Sequence, residues 1–384
     1  MRCKLSEIAL VSAGQGAPQG DSNYCESGTP FVKAGNLQEL SNGASIDAIQ
    51  KVSNEVAATH GLKLQRKGSV LFAKSGMSCL KGYVYVLPED AYIVSHLACV
   101  TPMGVDSDYL CYYFRFHRPN KLVKDAAYPS ISLADIGCLE IEIPEGNEVT
   151  QIVDALKRVE SIINLHCQQL TALDTLIKAR FVELFGDSKV NPYGFNKVRL
   201  KDSCEIVTGN TPSRTVDDYY GDYIEWIKTD NIMAEMMYPT RATESLSEVG
   251  LKVGRYVEKG AILMACIAGS VASIGKVCIT DRQVAFNQQI NAIVPKKYNA
   301  LFLYVLLQTS KDYLVEELNM ALKGILSKSK LGEKTFILPP MDQQNDFAAF
   351  VAQIDKSKAV VQAAHVIARN LHSRRQQKCR ILNF

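Results

Sequence analysis

Two long stretches of the chain repeat apolar and polar positions with the period of an α-helix. In residues 149–185, apolar positions recur at alternating spacings of four and three, and neither glycine nor proline interrupts them. Residues 343–381 form a second, more polar stretch of the same kind. This spacing predicts two long amphipathic helices that pair along apolar seams, as in a coiled coil. The positions predicted to pair are Ile152, Leu156, Val159, Ile163, Leu170, Leu173, Ile177, Phe347, Val351, Ile354, Val361 and Ala368.

The remainder of each half contains short apolar runs rich in β-branched and aromatic residues, which predict strands. These runs are residues 30–37, 69–76, 82–87 and 92–102 in the first half, and residues 223–232, 261–269, 275–280 and 284–295 in the second. Helical patterns follow at 108–117 and 300–318, and a last strand at 139–143 and 335–338 is stopped by proline. Each half is therefore predicted to contain a mixed α/β globule.

The chain also aligns with itself at a fixed offset. Six positions recur at this offset, as Leu5/Leu200, Gly14/Gly209, Lys33/Lys228, Asn36/Asn231, Ser132/Ser327 and Pro144/Pro339. Between them the offset shrinks and then returns, as expected for small compensating length changes in surface loops. The repeat predicts one structural unit present twice, with pseudo-two-fold symmetry.

The predicted fold is therefore two α/β (α+β) globules in tandem, each followed by a long helix. The predicted domains are residues 1–147 and 188–341 for the globules, and 148–187 and 342–384 for the helices. A lone amphipathic helix gains little from propensity and must bury its apolar stripe, so we expect the two helices to pair with each other, antiparallel. A helix of this length is roughly 54 Å long and would hold the globules apart as a ruler does.

The composition of the chain indicates a cellular compartment but does not indicate an activity. The formal net charge is only +3, which permits contact with nucleic acid without arguing for it. The eleven cysteines are scattered without any Cys-x-x-Cys, which fits reduced thiols. No apolar run is long enough for a signal peptide or a membrane span. We expect a cytoplasmic protein with no membrane partner.

The sequence offers no convincing catalytic or metal-binding motif. The nearest match to the Asn/Asp-Pro-Pro-aromatic loop of an adenine methyltransferase is Asn191-Pro192-Tyr193, which is one proline short and is interpreted as a turn. Residues 14–19 and 269–276 fail the spacings of a dinucleotide fingerprint and a Walker loop. The six histidines have no metal-site spacing; His365 and His372, both on the second helix, are interpreted as seam or surface residues. The chain is predicted to bind rather than to catalyse.

Five runs in the second half carry a resemblance to a known family. They are residues 207–213 (Val-Thr-Gly-Asn-Thr-Pro-Ser), 217–221 (Asp-Asp-Tyr-Tyr-Gly), 226–232 (Trp-Ile-Lys-Thr-Asp-Asn-Ile), 286–293 (Phe-Asn-Gln-Gln-Ile-Asn-Ala-Ile) and 338–344 (Leu-Pro-Pro-Met-Asp-Gln-Gln). Together with the repeat and the two helices, they make the whole chain resemble the specificity subunit of type I restriction-modification systems.

The resemblance implies that each globule is a target-recognition domain reading one half of an asymmetric, bipartite site in double-stranded DNA. It implies that the helices set the spacer between the half-sites and dock two methyltransferase subunits, with translocase-nuclease subunits joining for cleavage. S-adenosylmethionine, ATP and Mg would belong to those partners, so that this chain binds no cofactor and no metal itself.

Candidate DNA-binding residues are polar side chains at matching places in the two copies, because bases and phosphates are read by such groups. They are Lys33, Asn36, Lys74, Ser75, Lys81, Tyr128 and Ser130 in the first globule, and Arg214, Lys228, Asn231, Ser270, Lys276, Lys323, Ser327 and Lys328 in the second. Asn36 and Asn231 would equally suit the capping of a turn. For the run 287–289, Asn-Gln-Gln, we favour the satisfaction of buried backbone groups over adenine readout.

Three other functions stay open from the residues. The chain could serve a modification-only or other type of restriction system through a similar subunit. An enzyme with its own methyltransfer or cleavage centre would turn over DNA without partners. A coiled-coil scaffold that binds only proteins would lack the steep salt dependence that phosphate contacts impose.

Overall fold

The computed structural model describes residues 1–233, 236–267, 273–316 and 325–381. The chain divides into two compact units. Unit 1 consists of Met1–Leu165 with Ala364–Phe384, and unit 2 consists of His166–Ala363. The division passes through both long helices, so each unit contains one globule and a part of each helix.

Unit 1 is built from short strands and helices that precede the first long helix. Its strands are β1 (Arg2–Lys4), β2 (Ala9–Ala13), β3 (Thr29–Val32), β4 (Lys51–Val52), β5 (Val70–Ala73), β6 (Val84–Val86), β7 (Tyr92–Ile93), β8 (Leu97–Pro102) and β9 (Glu140–Glu142). Its helices are α1 (Leu5–Ile8), α2 (Leu37–Ser41), α3 (Asn54–Thr59), α4 (Ser107–His117), α5 (Leu133–Gly137) and the start of α6 (Glu148–Phe185).

Unit 2 repeats this order with a few additions. Its strands are β10 (Lys197–Arg199), β11 (Cys204–Thr208), β12 (Tyr220–Gly221), β13 (Ile224–Ile227), β14 (Ser245–Leu246), β15 (Tyr256–Val257), β16 (Ile262–Ala265), β17 (Val277–Ile279), β18 (Val284–Phe286), β19 (Ile290–Pro295) and β20 (Thr335–Ile337). Its helices are α7 (Leu200–Ser203), α8 (Glu248–Val253), α9 (Ala300–Thr309), α10 (Lys311–Val315), α11 (Lys328–Glu333) and the start of α12 (Met341–Ile381).

The sheets confirm the internal repeat strand by strand. The antiparallel sheet β2-β8-β5-β6 of unit 1 corresponds to β11-β19-β16-β17 of unit 2. The first and last strands of each globule also pair in the same register, Arg2 with Glu142 and Lys197 with Ile337. Arg2 and Lys197 are related by the same offset as Leu5 and Leu200, and so are Glu142 and Ile337. The offset read from the sequence is therefore a structural equivalence.

Each globule contains one parallel strand pair within a second sheet. Strand β3 runs parallel to β7, and β13 runs parallel to β18. The preceding strand crosses this pair closely at Gly14 in unit 1 and at Gly209 in unit 2. A Cβ at Gly14 would lie 2.0 Å from the carbonyl oxygen of Ile93, and one at Gly209 would lie 2.2 Å from that of Asn287. Only glycine fits there, which explains the recurrence of this residue.

Two predicted strands end earlier than the sequence suggested. The runs 30–37 and 223–232 are strands only as far as Val32 and Ile227, and each then enters a single 3-10 turn. The cause is a side-chain hydrogen bond that competes with the sheet. The amide oxygen of Asn36 accepts from the backbone N–H of Lys33 at 2.9 Å, and Asn231 does the same for Lys228 at 2.9 Å.

The long helices are the longest elements, with 38 residues in α6 and 41 in α12. Within unit 2 they are antiparallel: the ring of Phe347 lies 5.6 Å from that of Phe185, and Lys358 bonds Asp174 at 2.7 Å. As the residue number falls along α6, it rises along α12. In unit 1, His372 of α12 lies 3.4 Å from Glu160 of α6. The two helices thus pair antiparallel, as predicted, and polar and charged side chains meet in the seam.

Candidate nucleic-acid interface

The carboxyl ends of the parallel strands form the first part of the candidate site. After β3 and β13 the chain turns at Lys33 and Lys228, and the asparagine caps hold both turns. Asn36 is half-buried, whereas Asn231 is buried and donates to Thr240 and to the carbonyl of Arg241, both at 3.1 Å. The asparagines thus shape the turns and present the lysines at the ends of the strands.

An aromatic pair lies beside each of these lysines. In unit 1 the rings of Tyr24 and Phe31 meet edge to face at 6.2 Å and 71°. In unit 2 the rings of Tyr220 and Trp226 meet at 6.1 Å and 72°. The two tyrosine hydroxyls donate to equivalent carbonyls, those of Pro18 at 3.1 Å and Pro212 at 2.7 Å. The same platform is therefore built twice.

The cations on the two platforms have different partners. In unit 1, Lys33 lies 4.4 Å above the ring of Tyr24 and donates to the amide oxygen of Gln50 at 2.6 Å. In unit 2 the corresponding Lys228 lies over Trp226 at 5.2 Å and pairs with the carboxylate of Glu244. These cation–π contacts orient each ammonium group at the platform.

A second cation joins the platform of unit 2. The guanidinium of Arg214 lies 4.4 Å from the ring of Tyr220 and donates to Glu244 at 2.6 Å. The hydrogen bonds from Lys228 and then Arg214 lower the pKa of Glu244 below its ordinary value. Glu244 is therefore a carboxylate, able only to accept hydrogen bonds. Arg214 and Lys228, two predicted DNA-binding residues, are thus brought together.

A second region of unit 1 adjoins the platform through the segment that follows β7. The N–H of Lys74 donates to the carbonyl of His96 at 2.9 Å, and the hydroxyl of Ser75 lies 2.8 Å from Nδ1 of His96. Ser130 faces Ser75 across a single β-bridge. Shortly before it in the chain, Tyr128 is 84% exposed. Three predicted residues, Lys74, Ser75 and Ser130, are therefore linked to His96 directly or through Ser75. The sequence analysis did not select this histidine.

Unit 2 has the same backbone connections but different side chains. The N–H of Cys266 donates to the carbonyl of Gln289 at 2.8 Å, and Ile325 takes the bridging place of Ser130, facing Ile267. The run 287–289 is a turn between β18 and β19 rather than part of the predicted strand. The side chain of Asn287 closes this turn by accepting from the N–H of Gln289 at 3.1 Å, while Gln288 is exposed.

The other predicted contacts are dispersed. Lys81 is exposed at the end of a 3-10 turn, and Lys276 is half-buried just before β17. Ser327 caps α11 by accepting from the N–H of Lys330 at 3.3 Å, with Lys328 exposed beside it. Ser270 and Lys323 lie outside the described residues, as does Gly269. These lysines and Ser327 remain predicted contacts.

Sequence reasoning overlooked the platform residues Tyr24, Tyr220 and Trp226 as well as His96. The sequence did contain a signal for His96. In this part of the chain the repeat offset is slightly shorter, and it aligns His96 with Gln289 of the run 287–289. The aromatic pairs gave no comparable signal, since aromatic residues near strands usually belong to a core.

The predicted pairing positions of the long helices are all buried or half-buried. Near the ends of the seam, these helix positions also pack against residues of the globules. Ile152 and Leu156 pack with Tyr109 and Tyr112 of α4. Ile177, Phe347, Val351 and Ile354 belong to the core of unit 2, together with Phe181 and Phe185 of α6.

The inward face of α6 shifts at its end. Phe181 and Phe185 are fully buried, whereas continuing the spacing of three and four residues beyond Ile177 leads to Arg180 and Leu184. A helix with 3.6 residues per turn drifts by about 20° per heptad against a strict seven-residue repeat. After several heptads the inward position passes to the next residue along the chain.

The metal site and the methyltransferase-like motif considered in the sequence can be compared with the described ranges. Within them, no group of three or more His, Cys, Asp or Glu side chains is arranged to hold a metal ion. The run Asn191-Pro192-Tyr193 is a turn, in which the side chain of Asn191 accepts from the N–H of Phe195 at 2.9 Å. Over the same ranges, no helix combines the length and apolarity needed to cross a membrane.

The family model for the type I restriction modification DNA specificity domain matches residues 1–175 and again residues 192–363. The chain belongs to this family. It contains two tandem copies of the specificity domain, and the two matched ranges coincide with the two halves of the repeat. The equivalent platforms described above are therefore equivalent sites in two specificity domains.

Curated relatives of this specificity-domain chain are themselves specificity subunits. It is 29% identical over 173 residues to the type I restriction enzyme HindI specificity subunit of Haemophilus influenzae, a match covering 40% of this chain and 37% of that protein. It is 27% identical over 188 residues to the MjaIX specificity subunit of Methanocaldococcus jannaschii, covering 47% and 43%. The matches thus span less than half the length of these relatives.

Solved structures share the fold over nearly the whole chain. The crystal structure of the type I restriction-modification S subunit from M. genitalium superposes with a TM-score of 0.61 at 12% identity, covering 99% of this chain and 95% of that one. A chain from a study of assembly and conformational transition in a type I R-M system gives 0.59 at 18% identity, covering 99% and 97%. At such identities, the likeness concerns the fold.

Proposed function

We propose that this chain is the noncatalytic DNA-specificity subunit of a type I restriction-modification complex. Each globule would read one half of an asymmetric, bipartite site in double-stranded DNA. The observation that carries the proposal is the platform at the ends of the parallel strands, which is built twice on the same backbone and carries different side chains in the two copies.

The chemistry of both platforms suits a nucleic acid. Lysine and arginine side chains supply the positive charge and the donors that phosphates and guanine edges accept. In unit 1 the hydroxyl of Ser75 lies 2.8 Å from His96, shortly after β7, and Ser130 faces Ser75 across a β-bridge. A duplex bound there would meet charge, aromatic surface and hydrogen-bonding groups together.

Duplication explains why such a reader benefits from two sites. Two linked readers gain affinity through effective concentration only when both half-sites match the span between them. Half-sites one turn apart are roughly 34 Å from each other on B-DNA. Helices of 38 and 41 residues are about 57 and 62 Å long, which is enough to bridge that distance. We assign the spacer-setting role to these helices.

The exposed sides of the long helices offer matching places for two copies of one partner. In unit 1, exposed apolar side chains are Ile162, Leu165, Val366, Ile367 and Leu371. In unit 2, Val360 and Leu176 are exposed at the repeat equivalents of Leu165 and Leu371. Exposed apolar patches of this kind are typical of protein interfaces. Two methyltransferase subunits are the proposed partners, with translocase-nuclease subunits completing a cleaving complex.

Catalysis and cofactors would belong to those partners. We propose that the methyltransferase subunits bind S-adenosylmethionine and methylate adenine N6, while ATP and Mg serve the translocase-nuclease subunits. This chain would supply only the choice of sequence. Its proposed place is the cytoplasm, where host DNA is available to both activities.

The proposal is tested by comparing the methylomes of the host with and without the gene. We expect one bipartite adenine-methylation motif to disappear on deletion and to return on complementation with the full-length chain. Persistence of every methylation motif after deletion would contradict the proposal.

Two further measurements separate the alternatives. A DNA reader should show an affinity that falls steeply with salt concentration, whereas a protein-binding scaffold should show no salt-dependent DNA binding even with partners present. The purified chain with DNA and S-adenosylmethionine should remain inert. Turnover above background would instead identify an enzyme with its own centre.

A further inference from the structure

One position on the platform differs in chemistry between the two domains although its backbone is the same. The N–H of Phe31 donates to the carbonyl of Gln50 at 2.9 Å, and the N–H of Trp226 donates to the carbonyl of Glu244 at 3.0 Å. The strand pairs β3–β4 and β13–β14 share their register, with Thr29 opposite Val52 and Ile224 opposite Leu246. Gln50 and Glu244 are therefore structurally equivalent.

The two side chains contact lysines at equivalent positions of the repeat. Lys33 donates to the side-chain oxygen of Gln50, and Lys228 donates to that of Glu244. The aromatic pair, the proline carbonyl that its tyrosine binds and the asparagine-capped turn are all retained in the two copies. The exchange of an amide for a carboxylate is thus a change on a constant framework.

The exchange leaves the charge of the platform unaltered. In unit 1 the lysine is accompanied by the neutral amide of Gln50. The repeat offset relates Arg214 to Gln19 and the proline pair relates it to Gly20, and neither residue carries a charge. In unit 2 the carboxylate of Glu244 is offset by the added guanidinium of Arg214. Each platform therefore carries one net positive charge, and the sequence-independent attraction to phosphates is balanced between them.

What differs is the pattern of hydrogen bonds that a base would meet. The amide of Gln50 can donate and accept at once, which matches the N7 and N6 groups of adenine. The carboxylate of Glu244 can only accept. In the major groove, cytosine offers the N4 amino group without a neighbouring acceptor, so a carboxylate favours cytosine over adenine, guanine or thymine.

Building on the proposed function, we propose that Gln50 and Glu244 are specificity-determining residues, with Gln50 selecting an adenine in one half-site and Glu244 selecting a cytosine in the other. The neighbouring lysines orient these side chains and hold the adjacent strand of the duplex. Both positions are accessible, since Gln50 is exposed and the side chain of Glu244 is 34% exposed.

The test uses the full-length chain in complex with the methyltransferase of its host and a library of randomised duplexes, whose bound members are sequenced. We expect E244Q to change the preferred base at one position of one half-site from cytosine towards adenine, by roughly 5- to 150-fold in relative affinity. The other half-site should be unchanged. The reciprocal variant Q50E should shift one position of that other half-site from adenine towards cytosine.

Matched controls separate base readout from loss of an ion pair. Glu205 is an exposed glutamate that pairs with Lys296 at 3.3 Å in the same unit, and Gln38 is an exposed glutamine of α2. E205Q and Q38E should leave both half-sites as they are. Thermal melting of each variant verifies that the domain is folded, and Q50E tests the inference independently should E244Q unfold unit 2.

Two results would overturn the inference, and they have different meanings. A uniform loss of affinity in E244Q and Q50E, with the preferred motif unchanged, would make these side chains ion-pair and hydrogen-bond partners of the lysines only. Failure of the unsubstituted complex to select any sequence would contradict the proposed function itself.

Discussion

The hydroxyl of Tyr112 on α4 donates a 2.8 Å hydrogen bond to the carboxylate of Glu160 on the first long helix. In unit 2, Tyr238 donates to Asp355 at 3.1 Å, and Asp355 is the repeat equivalent of Glu160. Each globule therefore contacts an equivalent acidic residue of a long helix. These bonds fix the globule on the helix segment of its own unit.

Replacing Tyr112 with Phe should destabilise unit 1. Tyr112 is 7% exposed, and the substitution removes a hydrogen bond to a charged group without leaving a cavity. We expect a loss of about 1.5–3 kcal/mol in the free energy of unfolding, measured by chemical denaturation. The control Tyr223→Phe, at a side chain that is 60% exposed, should change stability by less than about 0.5 kcal/mol. If the two substitutions lowered stability equally, the hydrogen bond to Glu160 would make no particular contribution to stability.

The carboxylate of Glu160 should also make the stability of unit 1 sensitive to acid. Burial raises the pKa of Glu160, but hydrogen bonds from His372 and Tyr112 and the charge of Arg115 outweigh it, so that the pKa lies below its ordinary value of 4.5. A lowered folded-state pKa stabilises the fold above the unfolded value, and this contribution is lost as the pH falls through about 4.5 and below. We expect Glu160→Gln to be less stable at neutral pH but to lose less stability between about pH 5 and pH 3. Parallel pH profiles for the two proteins would contradict this.

The ion pair between Asp174 and Lys358 should stabilise the helix pair of unit 2. The side chain of Lys358 is only 8% exposed, whereas that of Asp174 is 41% exposed. Asp174→Asn leaves a buried ammonium group without its counter-charge, and we expect a cost of about 1–3 kcal/mol, below the value for a fully buried pair. Adding Lys358→Met should restore much of the loss, because an apolar side chain suits this seam position.

Denaturant titrations of the single and double variants measure the coupling between Asp174 and Lys358, with Asp154→Asn as an exposed control on the same helix. Additive losses would argue against the pair.

The exposed apolar positions of the helices should govern assembly with the methyltransferase. Ile367 in unit 1 is 60% exposed, and Ala172, also exposed, is its equivalent in unit 2. Lysine at either position should remove one methyltransferase copy from the complex, and lysine at both should remove two, since a charge is poorly tolerated in a buried interface. Native mass spectrometry counts the copies. Met103→Lys and Val249→Lys, at exposed apolar residues of the globules, should leave the stoichiometry unchanged. Full complexes with both helix substitutions would place the docking surface elsewhere.

Much of the architecture could be predicted from local pattern alone. The uninterrupted heptad-like spacing of α6 and α12 predicted their lengths to within a few residues, because a helix reveals its buried face at regular intervals along one segment. The internal repeat predicted two equivalent globules, and the register of β1–β9 and β10–β20 reproduces its offset.

The candidate site depended on information that no local pattern contains. Lys33 meets Gln50, and Lys228 meets Glu244, only because a second strand brings back a residue from later in the chain in a particular register. His96 joins Ser75 in the same way. The sequence predicted the lysines as isolated polar residues, without their partners.

The sequence by itself therefore determined the duplication, the two long helices and the resemblance to a DNA-specificity family, since periodicity and repetition are properties of the linear chain. Only the tertiary structure decided that Asn36 and Asn231 shape turns, that an aromatic platform lies beneath the lysines, and that Gln50 and Glu244 occupy one equivalent place. The physical reason is that such contacts depend on strand register and chain crossing, which are set by the packing of the whole domain rather than by the residues nearby.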